Sequence, residues 1–180
     1  AAATRLGYGG RLFFDGEEGA GGRAFAHDVA SGTSYQLPRL GRMGFENVVA
    51  RPAASPWTVV AATDDSVPGE VVVYRGRKRA TGSPIERAGL DDPDGHLYGV
   101  SVPGMRNEGF AALPRSTRVT LVDLGDVRVR TGPELQAIET IHGVTGFARP
   151  EDIGWNPARP DELFFATTGS GPAPTRLWRL

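Results

Sequence analysis

The sequence predicts an all-β chain folded as a β-propeller. Three features point there: short β-rich runs set between turn residues, abundant glycine and proline, and an internal repeat. The 180 residues include 25 glycines and 14 prolines. These follow no three-residue period, so they read as turns joining short strands rather than as a collagen-like helix. Hydrophobic residues make up 39% of the chain, enough for a packed core.

The strand runs fall at 11–14, 24–29, 58–62, 70–74, 97–102, 118–124, 163–167 and 176–180. Most are too short to be helices. Val71-Val72-Val73-Tyr74 and Leu163-Phe164-Phe165-Ala166 are continuously apolar, the pattern of strands covered on both faces. The spacing predicts one short helix over 132–142. Thr131 and Glu134 form a capping box ahead of it, Leu135, Ile138 and Ile141 follow at helical spacing, and Gly143 stands where the helix would be capped.

The repeat is the most informative feature. Glu46-Asn47-Val48-Val49-Ala50-Arg51-Pro52-Ala53 matches Glu151-Asp152-Ile153-Gly154-Trp155-Asn156-Pro157-Ala158 at a constant offset of 105. After a slip of one residue, Val59-Val60-Ala61-Ala62-Thr63-Asp64 matches Leu163-Phe164-Phe165-Ala166-Thr167-Thr168. Both copies run acidic residue, strand, x-Pro-Ala turn, apolar strand, polar tip. A fainter third copy of the second strand is Leu12-Phe13-Phe14-Asp15-Gly16-Glu17. Propeller blades repeat at about 40 to 50 residues, so the offset reads as two blades. At that period the chain makes about three to four blades, near the lower limit for closing a ring. The expectation is therefore a single domain over 1–180 that is all or part of a propeller, with a part of a larger one favoured.

Charge and composition narrow the chemistry. Twenty basic residues against 21 acidic ones give a net charge of −1, so no global field draws in nucleic acid or anionic membrane. With no cysteine there are no disulfides, thiolate nucleophiles or cysteine-held metals. No stretch approaches the roughly 20 apolar residues of a membrane span, and Ala1-Ala2-Ala3-Thr4-Arg5 has no signal-peptide core. The sequence also lacks a Walker-type phosphate loop and the Gly-x-Ser-x-Gly nucleophile elbow, and His27, His96 and His142 share no ligand spacing.

What remains is a set of acids and one arginine. Equivalent positions of a propeller's inner strands converge on one axis, and Glu46 and Glu151 are such equivalents. Glu17, Glu18, Asp64 and Asp65 sit at second-strand tips. Carboxylates gathered at one channel mouth repel unless a cation neutralises them, and oxygen ligands suit calcium or magnesium. The same acids also suit solvated turns. Pro150 biases Arg149 towards an extended backbone, which would hold its guanidinium beside Glu151. An arginine next to a metal-binding carboxylate fits a phosphoryl group. Arg149 could equally pair with Asp152 or Glu134.

Arg149-Pro150-Glu151-Asp152, then Trp155-Asn156-Pro157, then Leu163-Phe164-Phe165-Ala166-Thr167-Thr168 resembles the signature of the PhoX-type secreted bacterial phosphatases. Arg11-Leu12-Phe13-Phe14 with Gly16-Glu17-Glu18, Phe45-Glu46-Asn47 and Leu97-Tyr98-Gly99-Val100 are similar in the same order. The resemblance implies a six-bladed propeller, secreted or periplasmic, that hydrolyses small-molecule phosphomonoesters with calcium and iron near its axis. Carried over, it makes Glu17, Glu46 and Glu151 metal ligands, with Asp64 or Asp65 as a further one, and Arg149 a phosphate contact; Arg149 and Glu151 are the candidate catalytic residues. Gly16 stands where the family's cysteine is expected, so iron lacks its thiolate and calcium is the implied cofactor. The competing class is a non-catalytic, calcium-stabilised exported propeller acting as a binding or structural module.

Overall fold

The computed structural model describes residues 6–109, 113, 116–169, 171 and 174–180. The terminal segment 1–5 lies outside them. Among the described residues, eleven strands form three antiparallel sheets. The first sheet joins β1 (Leu12–Gly16), β2 (Ala24–Asp28) and β3 (Thr33–Gln36) in chain order. The second joins β4 (Phe45–Ala50), β5 (Trp57–Asp64), β6 (Val71–Arg77), β7 (His96–Ser101) and β8 (Thr120–Gly125), also in order. The third joins β9 (Pro150–Trp155), β10 (Leu163–Thr167) and β11 (Arg176–Arg179).

The sheets pack side by side with the five-stranded one in the middle. One of its faces meets the first sheet through Ala24, Ala26, Val60, Val72 and Tyr74. Its other face meets the third sheet through Ala61, Val71, Val73, Ile153 and Phe165. Both faces are covered, which is why Val71 to Tyr74 read as an unbroken apolar run, and all four are buried. The third sheet behaves differently. Burial along β10 alternates, with Leu163, Phe165 and Thr167 buried and Phe164 and Ala166 only partly so, because one face alone packs on the core. The expectation of two covered faces holds for β6 and fails for β10.

The inner strands β1, β4 and β9 lie next to one another, with β4 between the other two. Trp155 Nε1 donates to the Val49 carbonyl at 3.2 Å, and the Thr63 hydroxyl to the Glu151 carbonyl at 2.7 Å, which locks β9 to the middle sheet. Two sequence expectations are corrected here. The 105-residue offset separates neighbouring sheets, not sheets two blades apart, because β8 and the helices lengthen the connection between them. The segment 12–17 is not a copy of the second strand: β1 is an edge strand packed on β4 and takes the inner position.

Among the described residues there are also two α-helices rather than one. α1 (Pro84–Arg87) is a single turn that opens with a capping box, Ser83 and Glu86, and a proline at its start. α2 (Gly132–His142) stands where the spacing placed it; Glu134 accepts from both the N–H and the hydroxyl of Thr131, at 2.8 Å each. Gly143 closes it at φ 76°, a left-handed conformation that glycine adopts without strain. The buried face of α2 is the predicted one in part, since Ile138 also packs against the core. Leu135 and Glu139 are buried, whereas Ile141 is 79% exposed.

Phe147 connects the helix to the third sheet. Its ring meets Phe165 edge-on at 5.0 Å and Trp178 at 5.4 Å. Beside it, the fully buried carboxylate of Glu108 accepts from Arg176 at 2.9 Å, Thr167 at 3.1 Å, Trp178 at 3.2 Å and the Ala148 amide at 2.9 Å. This acid fixes the backbone immediately before Arg149.

Candidate functional site

The inner ends of the middle and third sheets carry the site. Two β-bulges build it. In β4 the pairing steps from Phe45–Asp64 to Asn47–Thr63, which leaves Glu46 as the extra residue. In β9 it steps from Ile153–Phe165 to Pro150–Thr167, so the extra residue falls within Glu151-Asp152. A bulge bends its strand and re-aims the side chain there, and both equivalent acids sit on one.

Arg149 occupies the centre. Its Nε and Nη2 donate to the two oxygens of Asp65, each at 2.9 Å, and Nη2 also lies 2.7 Å from Glu151 Oε1. The Thr168 hydroxyl donates to the same Glu151 oxygen at 2.7 Å. Arg149 therefore pairs with neither Asp152 nor Glu134. Its backbone is not extended, as the following proline would favour, but sits at φ 57°, and among the described residues it is the one non-glycine with a positive φ. The surroundings hold it there: its carbonyl accepts from the Thr168 amide at 3.0 Å and the Nε–Nη2 edge of its head is fixed on Asp65. The neighbouring carboxylates raise the Arg149 pKa further, Asp65 most.

Glu46 completes the cluster. Burial raises its pKa first, and the nearby charges of Glu18, Asp65, Glu151 and Asp152 add to that. Glu46 thus sits among four other carboxylates, two of which, Asp65 and Glu151, also hold Arg149. Gly44 lets the chain pass close behind: a side chain there would meet the Glu18 carbonyl and the Asp64 carboxylate.

Two of the acids named from sequence lie elsewhere. Glu17 faces Arg23, accepting from its Nε at 2.8 Å, its amide at 2.9 Å and its Nη2, and these bonds pull its pKa down to about 2. Its neighbour Glu18 is the one that acts on Glu46. Asp64 lines a cleft beside α2 and accepts from the Ser66 hydroxyl at 2.6 Å, with burial raising its pKa. Among the described residues, no group of three or more carboxylate or imidazole side chains is arranged to hold a metal ion. Also among them, no helix is long and apolar enough to cross a membrane.

Glu18 is among the strand-tip acids that the sequence picks out and Thr168 ends the second copy of the repeat, although neither is assigned to the site there. The bulges were not within reach of sequence reading, because nothing in the composition of β4 or β9 announces an extra residue.

No family model matches the chain, and no curated protein matches it. Among solved structures it is similar to PhoX from Pseudomonas fluorescens, determined in complex with vanadate, a transition state analogue. The TM-score is 0.62 and the identity 17%, over 84% of this chain and 29% of that one. The chain therefore spans less than a third of that protein's length. At this identity the likeness is one of fold, and the architecture is all-β and propeller-like, similar to that of PhoX.

Proposed function

We propose that the cluster at the inner strands is a phosphoester site in a PhoX-like hydrolase, with Arg149 contacting the phosphoryl oxygens and Glu46 acting on the attacking water. The observation that carries this reading is the way Arg149 is held. Asp65 and Glu151 engage Nε and Nη2, while Nη1 makes no hydrogen bond to the described residues and the side chain is 41% exposed. A guanidinium fixed on one edge and open on the other is oriented before a ligand arrives. Glu46, whose pKa is raised, is a better proton acceptor than an ordinary carboxylate. Glu151, named from sequence as catalytic, serves on this reading to position Arg149.

One guanidinium does not offset five carboxylates, so a phosphate dianion needs a further cation nearby. The donors Glu46, Asp65 and Glu151 are all carboxylate oxygens, chemistry that suits calcium and offers iron no thiolate. Their arrangement does not fit: Asp65 and Glu151 are both held on Arg149, and among the described residues no three ligands converge. The roles above rest on the chain's own side chains. Calcium enters the proposal only as that further cation, held otherwise than by these three acids together; export to the periplasm or beyond and a small-molecule phosphoester partner belong to the same proposal.

A second reading is a non-catalytic, calcium-stabilised exported module, and the self-paired Arg149 favours it. Hydrolysis of a chromogenic phosphomonoester, with and without calcium, separates the two. Activity that falls at least a hundredfold in Arg149→Ala and in Glu46→Gln supports the hydrolase. Activity retained in both variants, or absent from the parent protein under all conditions, removes it.

A further inference from the structure

Between α2 and the connection from β5 to β6 lies a cleft of about 210 Å³, separate from Arg149 and its partners. Three carboxylates line it: Asp64 from the end of β5, Glu70 from just before β6 and Glu139 from the middle of α2. They keep 7%, 7% and 4% of their surface exposed. Glu139 Oε1 is fully buried and has no hydrogen-bond partner. A carboxylate oxygen in that state is costly, and buried acids in folded proteins ordinarily have a cation or several donors facing them.

Among the described residues no cation faces the three acids, and only Asp64 has donors, the Ser66 hydroxyl and the Gly44 amide. Arg42 lines the cleft, but its charge acts on Glu17, and no cation is among the influences on the three acids. Burial instead raises the pKa of Glu70 to about 8 and of Glu139 to about 7; the Asp64 charge adds to both, and that of Glu139 to Glu70. The helix does not bury Glu139 for want of apolar residues. Ile141, two positions on, is 79% exposed while Glu139 is turned inward.

We propose that this cleft binds a small organic cation, an amine or guanidine whose N–H groups donate to Asp64, Glu70 and Glu139. A bare metal ion suits it poorly, because the acids do not converge as metal ligands. The volume, room for about seven waters at ~30 Å³ each, matches a short-chain cation with donors at more than one point.

Titration calorimetry with 1,4-diaminobutane, agmatine and calcium chloride in turn tests it. Either amine should bind at one site, at least tenfold more weakly in Glu139→Gln and in Glu70→Gln, and with unchanged affinity in Arg149→Ala. Glu139→Gln should melt no lower than the parent, since it removes an unpartnered charge, and that melt verifies that the variant is folded. The proposal is overturned if neither amine binds, if binding survives Glu139→Gln, or if calcium alone binds and is lost in that variant. The result in Arg149→Ala keeps this cleft distinct from the phosphoester reading.

Discussion

Arg149 and Asp65 are 84 residues apart in the chain, yet they meet through a two-pronged ion pair, both bonds at 2.9 Å. That pair ties the β5–β6 connection to the start of β9 and fixes a backbone conformation that arginine rarely adopts. Holding a non-glycine residue at positive φ stores strain.

Two substitutions at this position should separate the strain from the ion pair. Arg149→Ala and Arg149→Gly both lose the guanidinium, but only glycine accepts φ 57° freely. The glycine variant should therefore melt higher than the alanine variant by roughly 2–4 °C for a chain of this size. Equal melting temperatures in differential scanning calorimetry would show that the backbone at 149 is not strained.

Arg149 also acts as an internal counter-cation, and calcium would compete with it for Asp65 and Glu151. Arg149→Ala releases both carboxylates and removes a nearby positive charge, so calcium should bind that variant about tenfold more tightly than the parent. Calcium-dependent thermal shifts of the two proteins measure this directly. A smaller shift in the variant would mean that these acids are not the ones calcium meets.

Much of this architecture was legible in the sequence, and the lapses have physical causes. The eight β-rich runs coincide with β1, β2, β5 to β8, β10 and β11, and the repeat marks β4 and β9. β3 escaped because Thr33-Ser34-Tyr35-Gln36 is an edge strand with no buried residue to impose an apolar alternation. α1 was legible and overlooked, since Ser83-Pro84-Ile85-Glu86 spells its own capping box. For the site, the repeat identified Glu46 and Glu151 as equivalents, and the structure brings them together with Asp65 and Arg149. It could not reveal that Glu17 turns to Arg23 or that Asp64 faces α2. Those outcomes depend on side-chain direction at single residues, which periodicity over short strands does not resolve.

Glu108 shows how a structural acid differs from a functional one. Its carboxylate is fully buried and meets donors from four residues, so nothing about it invites a ligand. Glu108→Ala would strand the Ala148 amide and the Trp178 N–H away from water and take a charge from beside Arg176. The expected loss is about 3–5 kcal/mol, the range for breaking a buried ion pair from one side. Urea denaturation would measure it, and a loss below about 1 kcal/mol would mean the pocket admits water.

The cleft acids set the sign of the pH dependence. Glu70 and Glu139 have folded pKa values of about 8 and 7, above the 4.5 of an ordinary glutamate, and Asp64 between them is raised as well. From about pH 4.5 to 8 the folded chain therefore holds more protons than the unfolded chain, and stability must fall as pH rises through that window. Their contribution is fully present below pH 4.5 and gone above about 8. Glu17 works in the opposite sense at lower pH. Its pKa is held at about 2, so its contribution is present above 4.5 and lost as pH falls towards 2. Stability should thus peak on the acid side of neutrality. Glu70→Gln combined with Glu139→Gln should flatten the decline between pH 5 and 8 and leave the acid limb unchanged. Melting temperatures at half-unit pH intervals give the comparison, and a double variant that declines as steeply as the parent would show that other groups set the slope.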